Sequence, residues 1–382
     1  MRAMSGRTGD GIWGRAVSAT KVAAKKAALT APRGIRRFVD EEFFEDLEPE
    51  FLWLEATSSC GSRCAFCDIW QKKAAAHPLT PAEIEAVLRD PIFRGLRVVI
   101  VSGGEPTIRK DLDEILATVH RVAPRAYLVL SSSAMLPERL LDVVRTTLGR
   151  GIKLHVGVSL DGVGAAHDRV RGIPGLFEKV DRTLRELAAL QKVHVGRLDL
   201  AVGFVVSDLT ADQLEPVRDY VEGLGLTFNP QWYNQGGYYG NEGRDLLSDT
   251  VRLERVTRTL RPTPVNDLGR GVLAGKPLDY RCTTLHNSCL LKSNGDIVPC
   301  FKYWDAKAGN VREDTPSAIW KSEAARNTRK LVRDCHGCLN TCGVNWSRDA
   351  DAIGRLAFQL RHPGLMLEKL ARSVGHPAPA RK

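Results

Sequence analysis

The chain has 382 residues, 43% hydrophobic and 26% charged, the composition of a globular protein long enough to bury a large core without disulfides. No run of eighteen apolar residues occurs, and Lys21, Lys25 and Lys26 break up the apolar stretches near the start, so neither a transmembrane helix nor a cleaved secretory signal is expected. The net charge of +10 sits at the ends, with +8 over residues 1–39 and +5 over 353–382, which leaves −3 for residues 40–352.

Residues 1–45 are a basic N-terminal extension. In it Ile12, Trp13, Val17, Ala24, Ala28 and Leu29 recur among lysines, as in an amphipathic helix with a basic face. Such a helix either packs on the protein's own surface or meets an anionic membrane, a nucleic acid or an acidic partner. From residue 51 short β-type runs alternate with helical ones. Strands are expected at Phe51–Ala56, Leu96–Val101, Ala126–Leu130, Lys153–Leu160, Leu198–Val206 and Leu226–Trp232, with helices at 80–90, 109–121, 136–148, 176–191 and 211–224. Thr80 followed by Pro81 reads as an N-cap with proline at the first helical position. Sixfold strand–helix alternation predicts an α/β fold with a parallel sheet, open or curled. Residues 46–235 form this core. Asn234-Gln-Gly-Gly-Tyr-Tyr-Gly240 breaks the rhythm and reads as a flexible loop, at the strand end where such sheets build active sites. Trp232, Tyr233, Asn234, Tyr238 and Tyr239 are therefore candidates for touching a substrate. Residues 236–281 then form a connecting segment and loop, 282–345 a small cysteine-rich domain with an Asn294-Gly295 hairpin turn, and 346–382 a basic C-terminal tail.

Nine cysteines fall into two groups, 60–67 and 282–342, a clustering that points to metal ligation rather than disulfides. Cys60, Cys64 and Cys67 have the spacing C-x3-C-x2-C on a loop after the first strand. Three thiolates there can hold three irons of a [4Fe–4S] cube and leave the fourth iron open to a ligand. Zinc is the competing reading, although zinc sites more often use four ligands in paired C-x2-C units. In the second group Cys282 and Cys300 flank the hairpin, and Cys335, Cys338 and Cys342 follow, with zinc a rival reading because the Cys335–Cys338 C-x2-C unit also suits a tetrahedral site. Cys289 reads as a buried strand cysteine.

These motifs resemble the radical S-adenosylmethionine (SAM) superfamily. Phe66 matches the aromatic residue before the third cysteine, Gly103-Gly104-Glu105-Pro106 the GGE(P) motif, and Ser159-Leu160-Asp161-Gly162 with Arg171 the later SAM-contacting motif. The resemblance implies a partial (β/α)6 barrel. It also implies that Cys60, Cys64 and Cys67 hold a catalytic [4Fe–4S] cluster, and that Phe66, Gly103, Gly104, Glu105, Ser132, Ser159 and Arg171 contact SAM. After the third strand the family shows Thr-Asn-Gly where this chain has Ser132-Ser133-Ala134. The second group resembles the SPASM/twitch extension, which implies one auxiliary [4Fe–4S] cluster on Cys282, Cys300, Cys335 and Cys338. Cys342 is either a further or replacement ligand, or a hydrogen-atom donor. His167 reads as a structural hydrogen-bonder rather than a base.

The implied enzyme is a cytoplasmic oxidoreductase. It cleaves SAM to a 5′-deoxyadenosyl radical and oxidises or epimerises a small polar metabolite such as a sugar or aminocyclitol, using an electron donor of flavodoxin or ferredoxin type. The alternatives are a maturase of ribosomally made peptides and an enzyme acting on a lipid-linked or nucleic-acid substrate. The basic tails suit peripheral membrane contact. Nucleic acid is disfavoured because the body is acidic and carries no recognised RNA-binding module.

Overall fold

The computed structural model describes residues 12–31, 39–278 and 280–365. Strand β1 (Phe51–Thr57) is buried along its whole length, as a parallel strand covered on both faces is. It is followed by β2 (Val98–Gly103), β3 (Tyr127–Ser132), β4 (Leu154–Ser159), β5 (Leu198–Val206) and β6 (Thr227–Trp232), each parallel to the one before. The six expected strands and five expected helices all occur, with ends displaced by at most three residues. Among the described residues β6 pairs with β5 alone, so the sheet is an unclosed, partial barrel.

Side chains alternate along these strands as a period of two requires. Val156 and Val158 of β4, and Val202, Phe204 and Val206 of β5, are buried in the main hydrophobic core. Between them, His155, Gly157, Ser159, Ala201, Gly203 and Val205 line an interior cavity. The helix-facing side is thus large and apolar, and the inner side is small or polar. The helix Pro81–Leu88 begins with a full capping box between Thr80 and Glu83 and with Pro81 at its start.

The cysteine-rich segment does not build a separate sheet. Its strand β7 (Ser288–Leu291) lies parallel to β1 on the edge opposite β2, and β8 (Asp296–Val298) and β9 (Gly309–Asn310) continue antiparallel, making one nine-stranded sheet. This covers the backbone edge that β1 would otherwise expose. Buried Glu55 of β1 fixes the junction by accepting hydrogen bonds from the Ser293 backbone N–H (2.9 Å) and hydroxyl (2.8 Å).

The sequence pattern does not announce helix Ala165–Arg171 or the helices of the connecting segment. The connecting segment contains helices Thr250–Thr257 and Pro264–Leu273, capped by Asp249 and Thr263. The N-terminal helix Ile12–Leu29 packs Leu29 against Phe44 and Leu47, and its Lys25 and Lys26 pair with Asp46 and Glu50 of the acidic run. These two lysines are therefore engaged by the protein itself. Residues 1–11, 32–38 and 366–382, which hold most of the basic tails, lie outside the described residues. No described helix is long and apolar enough to cross a membrane.

Candidate active site

The loop after β1 brings Cys60, Cys64 and Cys67 to the rim of a cavity of about 490 Å³. Backbone hydrogen bonds pin it to the end of helix Ala165–Arg171, from Arg63 N to Arg171 O (3.0 Å) and from Ala65 N to Val170 O (2.8 Å). The glycine pair is required by close approach. A Cβ on Gly104 would stand 2.1 Å from the Ser59 carbonyl oxygen, and Gly103 has φ +141 with Thr57 O 2.2 Å from any Cβ. Burial pushes the Cys60 thiol up to about 11 and the Cys67 thiol up to about 12. Cys64 is also raised by burial, with the Arg171 guanidinium opposing.

Three thiols on one loop beside an open cavity are a donor set that fits a cluster with one iron left free.

Glu105 is fully buried and does not line the cavity. Its carboxylate accepts from Thr107 N (3.1 Å), Thr107 Oγ1 (2.6 Å), Ser132 Oγ (2.7 Å), Ser133 N (2.7 Å) and Ser133 Oγ (2.5 Å). The side chain expected to face SAM thus clamps the ends of β2 and β3, while the Gly103-Gly104 backbone faces the cavity. Ala134 sits at φ +54, a left-handed conformation that favours glycine, at the position where the family motif has one.

Arg171 and Asp161 form a buried ion pair in which Nε (2.6 Å) and Nη2 (2.5 Å) both donate to Asp161 Oδ2. Asp161 Oδ1 also accepts from Val205 N (2.7 Å), and Arg171 Nη1 lies 3.8 Å from Cys64 Sγ. The Arg171 guanidinium stands 5.5 Å from the Phe66 ring centroid. One ion pair therefore joins the tops of β4 and β5 to the cysteine loop. His167 Nδ1 accepts from Asp161 N (3.0 Å), and burial, aided by Arg171, lowers its pKa to about 4.

The cavity is almost uncharged, and its largely apolar and aromatic lining carries a set of neutral polar side chains. Ser131, His155, Asn229, Gln231, Asn340 and Asn345 border it, and Arg171, already paired, is the one Lys, Arg, Asp or Glu among its described lining. Trp232, Tyr233, Asn234, Tyr238 and Tyr239 all reach it, as do Phe66, Ser132 and Ser159. The segment expected as a flexible loop is pinned instead. Asp68 N donates to Tyr239 O (2.7 Å), Tyr238 N to Phe301 O (2.9 Å), and Asn241 Nδ2 to Phe66 O (2.9 Å). It packs there because a Cβ on Gly236 would come within 2.5 Å of Phe301 O.

Cys282, Cys300, Cys335 and Cys338 line a second, smaller pocket. Backbone N–H groups of Tyr303 and Gly337 point at Cys300 Sγ and Cys335 Sγ, each at 3.4 Å, and Tyr280 Oη lies 3.4 Å from Cys338 Sγ. Four thiols with donors already aimed at sulfur fit an iron–sulfur cluster. Cys342 is not in this pocket. It borders the large cavity, because Asn340 caps a helix beginning at Thr341 and the chain turns there. Cys289 is fully buried in β7. The two pockets share the wall formed by Asn234, Phe301, Asn340 and Trp346.

Residues 54–208 match the family model of the radical SAM superfamily, and residues 282–340 match that of the SPASM iron–sulfur cluster-binding domain. The chain is 33% identical to Fe-coproporphyrin III synthase of Methanosarcina barkeri, over 82% of this chain and 86% of that protein. The chain belongs to the radical SAM superfamily. It is also 26% identical to the mycofactocin maturase MftC of Mycolicibacterium smegmatis, over 82% of this chain and 81% of that one. Among solved structures, Streptococcus suis SuiB bound to its precursor peptide SuiA shares the fold, with a TM-score of 0.59 at 17% identity over 88% of this chain and 79% of that one.

This radical SAM enzyme uses SAM, a [4Fe–4S] cluster and an auxiliary iron–sulfur cluster. Sequence reasoning missed His155, Asn229 and Gln231. Their signal was polar side chains alternating with apolar ones inside strands of a parallel sheet, which marks an inner face turned to a cavity.

Proposed function

We propose that this radical SAM enzyme abstracts hydrogen from a carbon of a small, uncharged, polar metabolite of the sugar type and oxidises it. The observation that supports this most is a nearly uncharged cavity with neutral hydrogen-bonding groups among its apolar walls, set between the three-cysteine loop and the wall it shares with the four-cysteine pocket. A triphosphate or polycarboxylate would need several cations there, and an aminocyclitol would need a carboxylate. Arg171, already paired with Asp161, is the charged group its described lining supplies.

Cys60, Cys64 and Cys67 would hold the SAM-binding cluster, and Cys282, Cys300, Cys335 and Cys338 an auxiliary [4Fe–4S] cluster. When bound, the first supplies the electron that splits SAM into methionine and a 5′-deoxyadenosyl radical, and the second can accept the electron that the oxidised substrate releases. The chain's own contribution is positioning and exclusion. The Ser159 hydroxyl and the Nη1 edge of Arg171, which Asp161 does not occupy, would orient a carboxylate at the top of β4, and the Gly103-Gly104 backbone would admit an ammonium beside Cys60. Tyr233, Tyr238, Tyr239 and Trp346 keep water from the reacting carbon. Asn229, Gln231 and Asn345 offer amides to hydroxyl groups.

Redox-neutral epimerisation is the second reading, favoured by Cys342. Burial raises its thiol to about 11, so it stays protonated beside the cavity.

Incubating the anaerobically reconstituted enzyme with SAM, dithionite and a panel of perdeuterated neutral sugars tests the proposal. Deuterium in 5′-deoxyadenosine from a neutral sugar is the expected result. Deuterium arriving only from a peptide or a nucleoside triphosphate would contradict it.

A further inference from the structure

The large cavity explains the inner side of the cysteine loop. Its outer side carries a second signal. Arg63 and Ala65, which flank buried Cys64, are both exposed, so one layer of backbone separates that thiol from solvent. Arg63 stacks on the exposed Trp70, with its guanidinium 5.4 Å from the ring centroid. Arg169 is exposed one residue before Val170, whose carbonyl accepts from Ala65 N (2.8 Å), and exposed Lys73 follows the short helix Ile69–Gln71.

No ion pair involves Arg63, Arg169 or Lys73 among the described residues, whereas several other exposed arginines face carboxylates. Arg89 and Arg121 meet Glu85, Arg94 meets Glu48, Arg145 meets Glu186, and Arg182 meets Glu138. The acids nearest the patch are already engaged. Asp68 pairs with Arg244, and Asp168 accepts from Gly175 N (2.7 Å) and Phe177 N (2.8 Å). Three cations without ion-pair partners and an exposed tryptophan thus cover the outer side of the cluster loop. Electron tunnelling falls steeply with distance, so a one-electron donor must dock where that wall is thin. Opposite charge speeds such an encounter and fixes its orientation.

We propose that Arg63, Trp70, Lys73 and Arg169 form the docking surface for an acidic one-electron donor protein of the flavodoxin type. The surface serves entry of the electron, so the proposal stands apart from the substrate reading.

The test uses the full chain with both clusters reconstituted and an acidic flavodoxin as probe. The dissociation constant is measured by calorimetry across a salt series, and 5′-deoxyadenosine release is measured with either reduced flavodoxin or dithionite. For the R63E/R169E variant we expect flavodoxin affinity to fall at least tenfold at low salt, with a flattened salt dependence. Flavodoxin-driven release should fall in parallel, and dithionite-driven release should stay unchanged. W70A should weaken binding less and leave its salt dependence intact. The charge-reversed K302E/K330E variant, near the four-cysteine pocket, should bind flavodoxin as the unmodified protein does. Unchanged affinity in R63E/R169E, weakening by K302E/K330E instead, or an equal loss of the dithionite-driven rate would each overturn the proposal. So would tighter binding of anionic vesicles or single-stranded DNA to the same four residues.

Discussion

The two cysteine groups solve the same problem in opposite ways. The first is local: an eight-residue loop carries all three thiols, and the fold has only to let that loop approach β2, which the Gly103-Gly104 pair does. The second is assembled from a segment before β7, another after β8, and a turn after helix Glu323–Arg333. Its thiols face a small pocket, whereas the first group opens on about 490 Å³. A local site is built to leave a corner open for chemistry. A composite site closes on itself and holds together the segments that make it. The structure joins the two through the aromatic group of Trp53, Tyr238, Phe301 and Trp304, which spans β1, the 236–241 segment and the end of the hairpin. Each such ring pair contributes roughly 0.5–1.5 kcal/mol beyond area burial.

Five changes break or sharpen this contrast. Cys338→Ala should empty the composite site and leave the local one loaded. Iron should fall from about eight to about four per chain, one four-iron cluster being lost, and dithionite-driven SAM cleavage should persist. Colorimetric iron analysis beside product release checks this. Asp161→Asn should destabilise the fold by about 3–5 kcal/mol in denaturant unfolding, because it strands the Arg171 charge in a buried setting. Glu138→Gln, at the exposed pair with Arg182, should cost at most about 1 kcal/mol.

His167 gives a pH signature. Its folded pKa of about 4 lies below the unfolded value, so the unfolded chain binds the proton more readily. The stability tied to its neutral form is complete above about pH 6.5 and is lost as pH falls towards 4, by at most about 3 kcal/mol. His167→Gln should flatten that part of the stability–pH curve in thermal unfolding. The smallest effect belongs to Cys342→Ala, which should leave iron content at both sites unchanged. Loss of about four irons there would place Cys342 among the ligands.

Much of this was legible in the sequence, and the misses share a cause. The six strands were readable because apolar runs of five to nine residues alternate with helical periods. The cysteine tripod was readable because its geometry is confined to one loop. Cys342 reads as a neighbour of Cys338 by spacing, yet the helix capped by Asn340 carries it to the other cavity. The hydrogen bonds from Ser132 and Ser133, almost thirty residues away, that bind the Glu105 carboxylate between strands are not legible from the Gly103-Gly104-Glu105 motif. The 234–240 segment reads as mobile from its glycines, yet those glycines let it lie against Phe301. Where a role depended on residues distant in the chain, only the fold revealed it.

The central claim is that SAM is split beside the loop of Cys60, Cys64 and Cys67. Its most direct measurement is 5′-deoxyadenosine released anaerobically from SAM and dithionite by the reconstituted protein and by the variant with all three cysteines changed to alanine. The account predicts steady release by the first and none above background by the second, with the auxiliary iron retained. Equal release by both, or none by either once both clusters are loaded, would contradict it.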